Sequence, residues 1–309
     1  RGVIVAFHLE DDGVAVADID DAGVNIPKAL RRGGPIAYVE DWAGDPFASG
    51  VFDAVKSANF DAVRRRAFHY CVFANKFSPQ ERGGISRNIP SNDFAVTIGS
   101  WNLQPDEDPE QIESGVLMHE LGHTLGLRHG GADHLNYKPN HFSVMNYSFQ
   151  NTGLIVDGKA GVLDYSRFKT TDLNEKRLSE VAGIGGVSGA HVYGTFWSCP
   201  RERGQPVVWV YTTRDVMTGV DWNCDGKIAP RRTSAPFNVN DRKGDSPTLS
   251  ILRTVEEWSR LIYDGAEIGG GAGRPPGPGI VNMPRREARR MWRVVRAFER
   301  ARGRSRPWT

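Results

Sequence analysis

Eleven residues near the middle of the chain, His119-Glu120-Leu121-Gly122-His123-Thr124-Leu125-Gly126-Leu127-Arg128-His129, restrict what it can fold into more than any other stretch. Residues four apart share one helix face, a turn above each other, so a helix sets the His119 and His123 imidazoles side by side. A straight helix cannot bring His129 to that pair. Gly126 removes the difficulty, because glycine accepts the left-handed conformation that ends a helix and turns the chain back. The helix is expected on independent grounds. Asp108 offers an N-cap, Pro109 suits the first helical position and Gln111 fits a capping box. Leu117, Leu121 and Leu125 repeat every fourth residue and would give the helix an apolar back.

Three imidazoles beside one carboxylate point to a metal site with a catalytic use. Zinc takes imidazole nitrogen at roughly 2.0–2.1 Å and, where catalytic, keeps three protein ligands and one open position. His119, His123 and His129 are the expected zinc ligands. Glu120 is then left as a general base toward water activated at the ion, later passing the proton to a leaving amine. A solvent-facing helix produces H-E-x-x-H by chance. Chance does not also supply Gly126, His129 and a later turn, Ser143-Val144-Met145-Asn146-Tyr147.

These residues resemble the metzincin clan of zinc endopeptidases, in which the elongated histidine motif is followed by a methionine turn beneath the metal. The resemblance implies that Met145 is the turn methionine, and that Tyr147 ligates zinc or stabilises an oxyanion. It further implies an α/β (α+β) fold of two lobes, a twisted mixed sheet with the active-site helix above an irregular C-terminal lobe. Further segments look like those of secreted bacterial metzincin-type proteases: Lys56-Ser57-Ala58-Asn59-Phe60, Phe68-His69-Tyr70, Gly84-Ile85-Ser86-Arg87, Asn136-Tyr137-Lys138-Pro139-Asn140, Leu163-Asp164-Tyr165-Ser166 and Asp221-Trp222-Asn223-Cys224-Asp225-Gly226. Gly130 follows the third histidine where the well-known branches carry Asp, Glu, Ser or Pro, so the resemblance stops at the clan. It also implies that residues 93–99 form a strand bordering a cleft, with a protein or peptide substrate lying extended along it as an added edge strand. Residues 147–153, Phe149 and Gln150 among them, would wall the pocket beyond the scissile bond.

A chain of 309 residues suits one catalytic domain with an extension. The expected divisions are 1–130, with the sheet and ligand helix; 131–268, with the methionine turn; and 269–309, a Gly/Pro linker and a basic extension. Thirty-five glycines and eighteen prolines argue for loops over a helical bundle. A net charge of +2 gives no global case for nucleic acid. No run approaches the roughly 20 apolar residues that span a bilayer. Arg1 opens without a charged-then-apolar leader, the expectation for a mature or trimmed form of a secreted, extracellular protein. Cys199 and Cys224 are close enough in sequence to bridge a modest loop, while Cys71 sits in an apolar run as a buried thiol.

Residues 3–7 and 36–39 read as strands, 52–59 as a helix, and 68–74 as a buried central strand. The acidic runs Glu10-Asp11-Asp12 and Asp18-Ile19-Asp20-Asp21 read as solvated loops. His134 and His141 are expected at the surface or behind the ligands, since three ligands complete the set. Asp221, Asn223, Asp225 and the Lys227 carbonyl resemble the first half of a calcium loop, with Gly226 in sixth place. Arg232 in twelfth place excludes a complete EF-hand. That leaves a shortened structural Ca2+ site, completed by Asn240 or Asp241, or an Asx-rich turn holding no ion. Residues 285–306 are rich in arginine, with Met291, Val294, Val295 and Phe298 on one helical stripe. Such a segment docks on its own domain, contacts a polyanion, or stays a tail.

Three functions share these residues: a zinc endopeptidase, a zinc-containing binding protein without activity, and a zinc amidase acting on a small molecule. A purely structural zinc site has no use for Glu120. An amidase for small molecules needs a closed pocket instead of an open groove.

Overall fold

The structure, a computed structural model, describes residues 10–11, 14–15, 40–60, 68–79, 81–104, 107–186, 190–199, 208–212, 215–235, 249–262, 280–281 and 283–304. The strands expected at 3–7 and 36–39, the acidic run 18–21, the linker 269–279, Asn240 and Asp241 lie outside these residues. Among the described residues the chain is a mixed α/β arrangement of three α-helices and several small sheets.

The first strands, β1 (Glu10–Asp11) and β2 (Val14–Ala15), pair antiparallel. Helix α1 (Val51–Asn59) starts after Gly50 and turns Phe52 and Lys56, four residues apart, to the inside. Phe52 packs on Phe47, with ring centroids 4.7 Å apart, in a cluster that includes Trp42, Phe77, Val72 and Ile85. Strands β3 (Tyr70–Phe73), β4 (Gly84–Ser86) and β5 (Asp93–Val96) follow, then helix α2 (Pro109–Thr124). Beyond α2, β6 (Leu154–Val156), β7 (Lys159–Val162), β10 (Tyr193–Cys199) and β11 (Val208–Thr212) form a sheet in the order β11-β10-β6-β7. Two short pairs join β8 (Leu173–Asn174) to β13 (Ile251–Leu252) and β9 (Leu178–Ser179) to β12 (Arg232–Thr233). The last elements are β14 (Ile280–Val281) and helix α3 (Arg285–Arg304).

The sheet beside α2 runs β14-β4-β5-β3, with β5 parallel to β3 and antiparallel to β4. This corrects two expectations. The strand expected over 68–74 spans only 70–73 and lies at the sheet's edge among the described residues, with Val72 buried and Phe73 exposed. Its aromatic character serves packing on one side, where Tyr70 meets Phe60 at 4.9 Å and Phe52 at 5.6 Å. The buried central strand is β5, all four of whose residues are buried. Hydrogen-bonded on both sides, β5 has no ladder groups left for the added peptide expected there.

Helix α2 begins as anticipated at its cap, since Asp108 Oδ1 accepts from the Gln111 amide at 3.1 Å and Pro109 opens the helix. Leu117 and Leu121 are only half-buried. The deeper face carries Ile112, Val116, His119, Glu120 and His123. The reason is close packing on that side: a Cβ on Gly122 would overlap the Met145 sulphur and approach a Tyr165 ring carbon at 2.9 Å.

The largest apolar cluster gathers Trp101, Phe142, Phe149, Phe196 and Trp222 with Met283, Met291, Trp292 and Val295. Helix α3 is therefore docked on its own protein through Met291, Val294 and Val295 of the expected stripe, together with Trp292. Its arginines are partly spent there: Arg285 pairs with Glu81 at 3.0 Å, and Arg289 donates to the Trp101 carbonyl at 2.9 Å. Cys199 and Cys224 form a disulfide, with Cα atoms 5.7 Å apart. Cys71 is free and half-buried, and burial pushes its thiol well above the usual range. Among the described residues no helix is long and apolar enough to cross a membrane.

The ion pair between Lys56 Nζ and Asp93 Oδ1, at 2.6 Å, ties α1 to β5 in a buried setting. Asp93 also accepts from Arg87 Nε at 2.9 Å. The Asp93→Ala protein should lose about 3–5 kcal/mol in urea denaturation, because a buried ammonium is left without its counter-charge.

Candidate metal centre

The turn that ends α2 assembles the centre. Gly126 has φ of 94°. Its amide donates to the His123 carbonyl at 3.0 Å, and the Leu127 amide reaches the Gly122 carbonyl at 2.9 Å. These are the two bonds of a Schellman ending, available at this angle to glycine without strain. The chain reverses and returns His129 to the helix face. Lys138, fully buried, then holds the following loop by donating to the Gly130 and Arg253 carbonyls at 2.8 and 2.7 Å.

His119, His123 and His129 are all buried, and one ligating atom from each lies within 4.8 Å of the others. Among the described residues no other group of three His, Cys, Asp or Glu side chains meets that condition. The His119 Nδ1 lies 2.8 Å from the Val144 carbonyl, and the His123 Nδ1 lies 3.0 Å from the Leu127 carbonyl. A carbonyl only accepts, so both Nδ1 atoms carry the proton and both Nε2 atoms present lone pairs. The His123 and His129 Nε2 atoms are 3.1 Å apart. Two nitrogens bound tetrahedrally to one zinc at its usual bond length stand about 3.3 Å apart. Lone pairs gathered in a buried volume at that separation fit a divalent cation.

The methionine turn is built around two asparagines. Asn146 accepts from the Tyr137 and Ser148 amides and donates to the Lys138 and His141 carbonyls, at 2.7–3.2 Å. Asn136 accepts from the Tyr147 amide at 2.8 Å. Met145, fully buried, packs with Leu127, Val144 and Tyr165 behind the ligands. The Tyr147 ring lies 4.8 Å from that of His129 and 5.7 Å from that of His119.

Glu120 points to the β4 side. Its Oε2 accepts from the Ser86 hydroxyl at 3.0 Å, and the same hydroxyl lies 2.8 Å from the Glu120 carbonyl. A Cβ on Gly84 would come within 2.5 Å of Glu120 Oε1, so β4 passes directly against this carboxyl. Burial pushes the Glu120 carboxyl well above the usual carboxylate range, and the Ser86 bond works against that shift.

The other expected residues fall elsewhere. His134 is exposed at the rim, its ring 5.8 Å from His129. His141 is not at the surface but fully buried, with Nε2 3.1 Å from Glu257 Oε1, and it stands outside the group of three imidazoles. Phe149 does not wall a pocket, because it packs in the core on Phe196 at 5.7 Å. Asp221, Asn223 and Asp225 use side-chain oxygens to accept backbone amides of residues 225–227, a stack of Asx turns tied by Cys224 to β10.

Ser86 and the Val144 and Leu127 carbonyls have no signature in sequence. Each acts through a contact made after the chain has folded, and a backbone carbonyl looks the same at every position. Comparison with protein-family models, with curated proteins and with solved structures returns no match for this chain.

Two measurements check the centre. Zinc at a hundredfold excess over its dissociation constant should raise unfolding free energy by about 2.7 kcal/mol, and His123→Ala should abolish the gain. Gly122→Ala should cost about 1–3 kcal/mol in urea denaturation through overpacking against Met145 and Tyr165.

Proposed function

We propose that this protein is a secreted zinc endopeptidase of metzincin type, with α2 and the sheet above the metal and the methionine-turn region below it. The observation that carries the reading is the buried cluster of three imidazoles, with Glu120, also buried, next to His119 in the chain. His119, His123 and His129 would hold zinc, which supplies a Lewis acid and lowers the pKa of water to about 7. Glu120 takes a proton from the attacking water as its oxygen bonds to the substrate carbonyl carbon. The same carboxyl then delivers that proton to the amide nitrogen as the C–N bond breaks. Tyr147, whose ring lies 4.8 Å from that of His129 and 5.7 Å from that of His119, would donate its hydroxyl to the developing oxyanion. Ser86 orients the Glu120 carboxyl by its hydrogen bond. The Cys199–Cys224 bridge supports an oxidising, extracellular setting. We extend the reading to a structural Ca2+ ion on Asp221, Asn223, Asp225 and the Lys227 carbonyl, whose oxygens keep lone pairs beyond those used in the turns.

One observation favours a second reading, a zinc amidase for small molecules: His119, Glu120 and His123 are fully buried. A closed volume suits a small substrate better than a polypeptide.

Cleavage of a broad peptide library with and without a zinc chelator decides between them. Peptide hydrolysis should vanish with chelation. In Glu120→Ala it should fall by at least about a hundredfold, with zinc affinity retained. Undiminished hydrolysis by Glu120→Ala would falsify the mechanism, and zinc binding without any peptide cut would favour the amidase. Calcium should raise the melting temperature, and Asp225→Ala should remove that response; indifference to both discards the calcium ion.

A further inference from the structure

The residues of the centre are almost fully enclosed. Tyr147 is 3% exposed and His129 7%, and the remaining ligands and Glu120 are fully enclosed. The segment from Ile280 onward runs along both sides of this ground. β14 pairs antiparallel with β4, placing Ile280 opposite Ser86 and Val281 opposite Ile85. The alignment continues as the Gly83 amide donates to the Met283 carbonyl at 3.2 Å and the Arg285 amide to the Glu81 carbonyl at 3.0 Å. β4 is the strand whose Gly84 and Ser86 abut Glu120.

The same segment then meets the region that follows α2. Glu287 Oε2 accepts from the Tyr137 hydroxyl at 2.6 Å, and the Tyr137 ring meets that of Tyr147 at 5.7 Å. The Asn151 side-chain amide contacts the Met283 sulphur at 3.5 Å. Residues 280–281 and 283–287 thus bridge the strand against Glu120 and the turn that bears Tyr147. A strand has two ladder edges, and β4 spends one on β5 and the other on β14. β5 and β4 are both filled, so no ladder edge next to Glu120 is open to a substrate backbone among the described residues.

We propose that residues 280–281 and 283–287 act as an intramolecular strap: β14 fills the peptide-accepting edge of β4, and an extended protein substrate binds only by displacing it. This rests on the peptidase reading and assigns the substrate edge to β4 in place of β5. Exchange of β14 for a peptide strand replaces ladder bonds one for one. The strand is two residues long, whereas the anchor lies further on, in Met291, Trp292 and Val295. The strand can leave while the helix stays.

The test uses the zinc-loaded full chain with two readouts. One is cleavage of the peptide library. The other is binding of a fluorescein-labelled extended peptide ending in a hydroxamate, followed by anisotropy. Val281→Pro removes the β14 amide that the register turns toward β4, because hydrogen-bonded pairs alternate along an antiparallel ladder, and it leaves α3 in place. Binding and cleavage should each rise about tenfold, the scale of one or two ladder hydrogen bonds. Tighter binding with no peptide cut keeps the strap and discards the peptidase. Binding no tighter than in the unaltered protein, or absent from both proteins, overturns the strap. Should the proline variant melt, Ile85→Cys with Val281→Cys serves instead, since these residues are cross-strand partners. Its oxidised form should bind the peptide about tenfold more weakly and recover under a reductant that leaves the unaltered protein's binding unchanged. Undiminished binding by the oxidised pair also overturns the strap.

Discussion

The hydrogen bond from His119 Nδ1 to the Val144 carbonyl joins the ligand helix to the turn that carries Met145 and Tyr147. It fixes which nitrogen of His119 faces the other imidazoles, and it sets the height of the turn beneath them. The matching bond from His123 Nδ1 to Leu127 does the same inside the Schellman ending. Both bonds exist only because Gly126 reverses the chain and because Asn136 and Asn146 hold the later turn closed. Remove the reversal, and the third imidazole has no path to the first two.

The burial that makes the centre fit a cation also raises the question of access. Glu120 is fully buried, with Gly84 and Ser86 of β4 against its carboxyl. The C-terminal segment packs nearby, with a strand against β4 and Glu287 against Tyr137. Its helix belongs to the main core.

Some elements were legible because they depend on neighbours in sequence. The cap at Asp108, the helix through His123, the reversal at Gly126 and the helical stripe of α3 each follow from local spacing, while the docking of that stripe does not. The strands were less so. Tyr70–Phe73 and Asp93–Val96 are both short and apolar, and nothing within either says which is central; that depends on which partners pair with them. The leucines of α2 misled for a related reason. Apolar spacing identifies a buried face only when the other face meets water, and here the opposite face meets Met145 and β4.

The sequence by itself determined the ligand set and its carboxylate neighbour, since helical period and one left-handed glycine suffice to bring three imidazoles toward one point. Tertiary structure alone decided which backbone carbonyls fix the imidazole tautomers, that Ser86 holds Glu120, and that Ile280–Val281 lie along β4. The physical reason is range. Residues within a turn or two of each other are placed by backbone geometry, whereas Ser86 meets Glu120 and Val281 meets β4 from distant parts of the chain, through pairing that no local pattern records.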